Sequence, residues 1–209
     1  MERDDRKKQI MRAVEQLADG RKLSEITLDE VIKAAKIGKG TIYNYFEDKE
    51  DLFFEVALSG FDELYAILEQ KVPNDVSFTE KLKNAYFHII RLFADRRQLL
   101  QIMQAYSSYA YRANGGLRDR WISKRKKLMT ALSNILSEGV AERVIRPDLS
   151  TDFLAASFLG MLRAYMTDTD IFPDSTQNGE MLIDLFVNGA CAVNNQSTIH
   201  CLEALQIDG

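Results

Sequence analysis

Residues 33–46 read KAAKIGKGTIYNYF: three lysines, a glycine beside a threonine, two tyrosines astride an asparagine, and no acid. On a helix from Lys39 to Phe46, at about 100° per residue, Ile42 and Phe46 share one face suited to a core. Gly40, Thr41 and Asn44 then face outward, with Tyr43 and Tyr45 on the two shoulders. Such a face can read duplex DNA. Eight helical residues span about 12 Å, and the major groove is about 12 Å wide. Gly40 lets the backbone come close. Thr41 offers a methyl suited to thymine, and Asn44 can pair bidentately with adenine. The Tyr43 and Tyr45 hydroxyls suit phosphates on each side of the groove; packing with the hydroxyl in water is the other reading. Lys33, Lys36 and Lys39 put positive charge around the turn.

Two neighbours carry the same ambiguity. Lys49 stands at the first position of the next helix, where a cation opposes the helix dipole. A phosphate held by Lys49 and that helix end would account for it; a solvated lysine is the alternative. Thr27 and Glu30 form a T-x-x-E capping box. The Thr27 hydroxyl is either a cap alone or a phosphate contact as well.

These residues need helices to position them, and the chain reads as all-α with about nine helices. Only three prolines occur, Pro73, Pro147 and Pro173, all between periodic segments; Gly20, Gly38 and Gly115–Gly116 mark further breaks. The first helix spans about 5–19 on an Ile10, Val14, Leu17 stripe, and the second about 28–35. Lys36–Ile37–Gly38 is a tight turn into the third, which makes a helix-turn-helix. The fourth starts at Asp48, an N-cap, and carries Leu52, Val56, Leu64 and Leu68 to about Lys71. It connects a DNA-binding domain, residues 1–50, to a larger helical domain, residues 51–209. Later helices fall near 78–94, 98–112, 118–142, 150–168 and 178–193, and a polar tail begins at Asn194.

The net charge of −4 over 209 residues gives no global sign of nucleic-acid binding, but a local basic face suffices. Residues 1–50 are balanced, and the acidic excess lies in the rest. Cys191 and Cys201 form no CxxC and no disulfide framework, which fits a reducing cytoplasm. The start, MERDDRKKQIMR, is too charged for a signal peptide, and no apolar run of about 18 residues predicts a membrane span. No nucleophile–base pair, metal spacing or phosphate loop points to an enzyme, a metal or a cofactor.

Residues 27–53, TLDEVIKAAKIGKGTIYNYFEDKEDLF, resemble the DNA-binding signature of the tetracycline-repressor (TetR) family of bacterial transcription regulators. Ala34, Ala35, Ile37, Lys39, Gly40, Thr41, Ile42, Tyr43, Tyr45, Phe46, Lys49 and Leu52 carry the match. Lys36 departs from it where glycine is usual, and Gly38 where a serine cap is usual. A residue with a Cβ at position 36 is then expected in a left-handed conformation. Position by position, the resemblance implies DNA contacts from Lys39, Gly40, Thr41, Tyr43, Asn44, Tyr45 and Lys49; Thr27 and Lys36 join them on their own chemistry.

The resemblance also implies a homodimer, a double-stranded DNA operator and a small-molecule effector. Residues 150–168 are apolar nearly all round, and 181–193 carry a broad apolar stripe. The family pairs its last two helices with their copies, which implies an interface through Ala155, Ala156, Leu159, Leu182, Leu185, Phe186 and Gly189. An effector cavity is implied among Tyr86, His88, Met103, Tyr106, Trp121, Phe158, Met161, Leu162 and Tyr165, where plain core packing is the rival reading. The mostly apolar lining suits a mostly apolar compound. The rival function on the same scaffold is a DNA-binding protein that acts through a protein partner.

Overall fold

The computed structural model describes residues 3–112, 116–167 and 179–190. Among them stand nine α-helices and no strand: α1 (Arg3–Leu17), α2 (Leu28–Ala34), α3 (Lys39–Tyr43), α4 (Lys49–Gln70), α5 (Phe78–Asp95), α6 (Arg97–Arg112), α7 (Gly116–Ala141), α8 (Thr151–Thr167) and α9 (Gly179–Ala190). A 3₁₀ turn, Leu23–Glu25, precedes α2 and has no counterpart in the sequence reading. The tail from Asn194 lies outside the described residues.

The helices begin and end for local reasons. Asp48 caps α4, its Oδ1 accepting the Asp51 N–H at 2.8 Å. Gly20, at φ 66°, supplies the left-handed residue that turns the chain after α1. α7 ends in a Schellman motif: Val144 N–H reaches the Gly139 carbonyl at 2.9 Å and Arg143 N–H the Val140 carbonyl at 3.0 Å. Arg143 fills the left-handed position there, at φ 60°.

Among the described residues, 3–67 with 89–112 and 116–128 form one compact unit, and 68–88 with 129–167 and 179–190 a second. The first unit contains the helix-turn-helix. Ile10, Val14, Ile26, Val31, Ile42, Leu52, Phe53 and Phe54 are fully or almost fully buried in it. Its polar anchor is Arg96. Its Nε donates to Glu15 Oε2 of α1 at 2.8 Å, while its Nη atoms pair with Glu15 and with Glu63 of α4. Burial alone would lower the Arg96 pKa; its hydrogen bonds to both carboxylates outweigh that and raise it. Gln98, in the first turn of α6, adds a bond from Nε2 to Asp19 Oδ1 at 2.7 Å.

In the second unit, Phe78 is wholly buried against Gly139, where any Cβ would lie 2.8 Å from the ring. Glu142 accepts the Phe78 N–H with both carboxylate oxygens, each at 3.2 Å, and so covers the start of α5. The buried Lys81 pairs with Glu138 one turn before.

Candidate nucleic-acid interface

The capping box at Thr27 is complete. Its N–H donates to Glu30 Oε2 at 2.8 Å, its hydroxyl donates to the same oxygen at 2.9 Å, and that hydroxyl accepts the Glu30 N–H at 3.3 Å. Arg21 adds a bond to Glu30 Oε1 at 3.0 Å. The Thr27 N–H foremost, then Arg21 and the Thr27 hydroxyl, pull the Glu30 carboxyl down to about 2. The single proton of the Thr27 hydroxyl is therefore given to Glu30, which makes the residue a complete cap.

The turn after α2 is a Schellman motif with lysine at its left-handed position. Ile37 N–H reaches the Ile32 carbonyl and Lys36 N–H the Lys33 carbonyl, both at 3.1 Å. Lys36 stands at φ 52°, as its place in the pattern predicts. Gln9 of α1 donates from Nε2 to the Ala35 carbonyl at 2.7 Å, satisfying an end carbonyl of α2 and fixing α1 to the turn.

Gly38 precedes α3 in extended conformation with no side-chain cap. α3 is shorter than the Lys39–Phe46 helix expected: it ends at Tyr43, with Asn44 as C-cap. Its last turn tightens, Asn44 N–H reaching Thr41 O at 3.2 Å and Tyr45 N–H reaching Ile42 O at 3.0 Å. The facing survives this shortening. Ile42 and Phe46 are buried, Lys39, Gly40, Tyr43 and Asn44 are exposed, and Thr41 and Tyr45 are half-buried. Tyr43 is 53% exposed, so its ring is no core residue. Tyr45 leans on Phe46, ring centroids 6.3 Å apart, and Lys7 of α1 covers that same Phe46 ring at 5.7 Å.

The lysines divide. Lys33 and Lys36 are exposed. Lys39 lies 3.7 Å from Asp29, a partner the stretch between Lys33 and Phe46 does not contain, and both are about 70% exposed. Lys49 has an intramolecular use: its ammonium donates to the Ser24 carbonyl at 3.0 Å and sits 5.5 Å from the Phe53 ring centroid. The oddity of a lysine at a helix start is thus met within the subunit, by tying the 3₁₀ turn to α4.

The expected effector residues fall into two groups. Met103, Tyr106 and Trp121 belong to the first unit, where they are packed: Trp121 against Phe61 at 4.8 Å and Phe54 at 6.0 Å, Tyr106 against Phe53 at 6.1 Å and Tyr109 at 5.6 Å. Met103 is buried against Gly60. Burial foremost, with the charge of Glu50 next, pushes the Tyr106 hydroxyl upward. Tyr86, His88, Phe158, Met161, Leu162 and Tyr165 belong to the second unit. There Tyr86 and Tyr165 pair at 6.4 Å, and burial followed by the bond to Tyr165 raises the Tyr86 pKa. Phe158 and Leu162 are buried, and Met161 and His88 are half-buried.

The expected interface residues also divide. Ala155, Leu182 and Phe186 are buried within the subunit itself, with the Phe186 ring 5.1 Å from Phe158. Ala156, Leu185 and Gly189 are exposed and Leu159 is half-buried. Phe153 and Met181, which the sequence reading passed over, join that outer face at 60% and 48% exposure. Spacing shows them: Phe153, Ala156 and Gly160 lie at i, i+3, i+7, and Met181, Leu185 and Gly189 at i, i+4, i+8.

Residues 10–56 match the family description "Bacterial regulatory proteins, tetR family". Among curated proteins, the chain is 24% identical over 143 residues to YhgD, an uncharacterized HTH-type transcriptional regulator of Bacillus subtilis, covering 68% of this chain and 73% of that one. It is 25% identical over 150 residues to the HTH-type transcriptional repressor KstR2 of Mycolicibacterium smegmatis, covering 71% and 72%. Among solved structures, it resembles the fatty acid degradation regulator FadR of Bacillus halodurans, with TM-score 0.75 and 21% identity, covering 90% of this chain and 98% of that one. FadR of Bacillus subtilis in complex with stearoyl-CoA matches with TM-score 0.72 and 22% identity over 87% and 97%. The structural likenesses speak for the fold. The match over residues 10–56, with the signature from Thr27 to Phe53 and the exposed face of α3, shows an N-terminal DNA-binding segment of the tetR family type.

Proposed function

We propose that this regulator is a homodimeric repressor of palindromic operators, released from DNA by a small, mostly apolar effector. The observation that carries the reading is the face of α3: Gly40, Tyr43 and Asn44 are exposed above a buried Ile42 and Phe46. Asn44 and Thr41 are proposed to meet base edges, and Lys36, Lys39, Tyr43 and Tyr45 to meet phosphates. Lys49 acts there through the turn it braces, with a phosphate as a second partner. One short helix reads few bases, so two copies related by a two-fold axis are the natural reading unit. The exposed Phe153, Ala156, Leu185 and Gly189 supply an apolar surface for that pairing.

In function, the chain is proposed to divide near residue 50, with DNA reading before it and effector binding and pairing after it. The FadR neighbour was solved with stearoyl-CoA, and KstR2 is named a repressor. An acyl chain is a ligand that aromatic and methionine side chains such as Tyr86, Phe158, Met161 and Tyr165 would accept. Selection of bound sequences from random duplexes tests the DNA reading. A palindrome bound by a dimer, weakening steeply with salt, is expected. Monomeric binding to a single half-site would overturn it. Release of that duplex by acyl-CoA thioesters, with fatty alcohols and sugars compared, tests the effector.

A further inference from the structure

The stretch RDRWISKRKK, residues 118–127, puts six cations against one acid in a chain of net charge −4. Nothing in DNA reading by α3 uses it. Two of its members, Arg120 and Lys124, are one turn apart and line a cleft of about 620 Å³ in the first unit. The facing wall is a stripe of α1 that includes Lys7, Lys8 and Arg12, Arg96 lines it too, and α4 contributes Glu55, Asp62 and Glu63 with Leu58 and Ser59 between them. Six cations line the cleft against four carboxylates.

The pairing within the cleft is uneven. Glu55, with only 14% of its side chain exposed, is held between Lys7 at 2.7 Å and Arg120, and so orients one cation from each wall. Burial would raise its pKa, and the bonds from Lys7 and Arg120 outweigh it and lower it. The remaining acids are far more exposed. Asp62 meets Lys124 at 2.5 Å with half its side chain in solvent, and Asp4 meets Lys8 at 2.7 Å with 70% exposed. Exposed ion pairs of this kind contribute little, and their carboxylates can turn to water. Arg12 is exposed and makes no ion pair among the described residues. A dianion entering the cleft would thus find Arg12 open, Lys8 and Lys124 released at small cost, and Lys7 and Arg120 already fixed.

We propose that this cleft binds a pyrophosphate group, either free or as the headgroup of an amphipathic effector. Phosphate oxygens match it because several charge-assisted bonds from separate helices can close on one group. Its regulatory consequence rests on the effector reading above: the anion would bridge α1, which is bonded to the reading turn, to α7. Calorimetric titration of the full chain without DNA, at constant ionic strength, tests the site with two probes, inorganic pyrophosphate and coenzyme A. Saturable binding is expected, weakened about tenfold or more by Arg12→Gln and by Lys124→Gln, the effect of losing one charge-assisted bond. Arg12 is exposed and Lys124 half-buried, so circular dichroism is run to show that both variants fold, and Arg12→Lys should restore part of the loss. The double variant Lys36→Ala, Lys39→Ala controls for anions on the DNA-reading face and should leave binding intact. Equal affinity for both probes would assign the site to free pyrophosphate, and clear preference for coenzyme A to a headgroup. No saturable binding, or binding lost with the Lys36 and Lys39 variant but kept in the cleft variants, overturns the proposal. Anion binding that leaves operator affinity unchanged would instead sink effector release and leave the cleft assignment standing.

Discussion

Lys36 combines a left-handed backbone position with the phosphate contact proposed for it, and substitution can separate the two. It occupies a left-handed position at φ 52°, which costs a residue with a Cβ about 1–2 kcal/mol. Glycine removes that strain but returns about 0.5–1 kcal/mol through its freer unfolded chain. Lys36→Gly should therefore stabilise the protein by about 0.5–1 kcal/mol, a rise in Tm of about 1–4 °C for a chain of this size. Lys36→Ala keeps the strain and should leave Tm within about 1 °C of the parent. On DNA the two variants should agree, since both remove the same exposed cation. If each subunit uses Lys36 on one phosphate, a dimer loses two contacts, and the slope of log affinity against log salt should flatten by about 2. Differential scanning calorimetry and salt-dependent titration on one operator read the two effects. A Lys36→Gly protein no more stable than Lys36→Ala would refute the strain argument. An unchanged salt slope in both would remove Lys36 from the DNA interface.

Further outcomes follow from the same geometry. Asn44→Ala should relax preference at one base pair by about 1–3 kcal/mol, whereas Tyr43→Phe should weaken all sequences alike; sequence selection separates them. Arg96→Ala strands the buried Glu15 and should destabilise the chain by about 3–5 kcal/mol in urea denaturation, far more than loss of an exposed pair such as Arg91–Asp95. Gly139→Ala drives a methyl into the Phe78 ring and should cost about 1–3 kcal/mol in the same assay. Glu30 has a folded pKa of about 2, below its ordinary value of 4.5, so its cap contributes fully above 4.5 and is lost as pH falls toward 2. Glu30→Gln should flatten the acid limb of a stability-against-pH curve.

The reading unit was legible because its signals are local. A capping box, a tight turn and a buried Ile42–Phe46 pair are each written in residues no more than four apart, and each predicts its own geometry. The length of α3 was not legible, because its tightening depends on how Tyr45 and Phe46 settle on the core. Outward and inward faces of α8 were hard to separate for a related reason. With apolar residues nearly all round, periodicity alone does not say that Ala155 points in while Ala156 and Phe153 point out. Long-range ion pairs leave no trace in spacing at all: Glu15 and Arg96 are 81 residues apart, and Lys49 finds a carbonyl rather than a side chain.

Those long-range bonds also decide how the reading turn can be moved. α1 makes four polar contacts of different kinds along its length and just beyond its end. Lys7 goes to Glu55 of α4, Gln9 to the end of α2, Glu15 to Arg96, and Asp19 to the first turn of α6. A residue such as Gln9, bonded to the Ala35 carbonyl, passes any rotation of α1 to the turn that aims α3. Exposed pairs would give way under such a load, but Glu15 is buried and held by a two-pronged guanidinium, so the helix moves with Arg96 instead of parting from it. Arg96 sits at the junction of α5 and α6. A shift at that junction therefore reaches α3 through the charge-assisted Arg96–Glu15 bonds, α1 and the neutral Gln9–Ala35 bond, in parallel with the path along α4 through Lys49 and Ser24. Two such paths tie the recognition helix to the rest of the first unit, which is the mechanical condition that the effector release and dimer proposed above require.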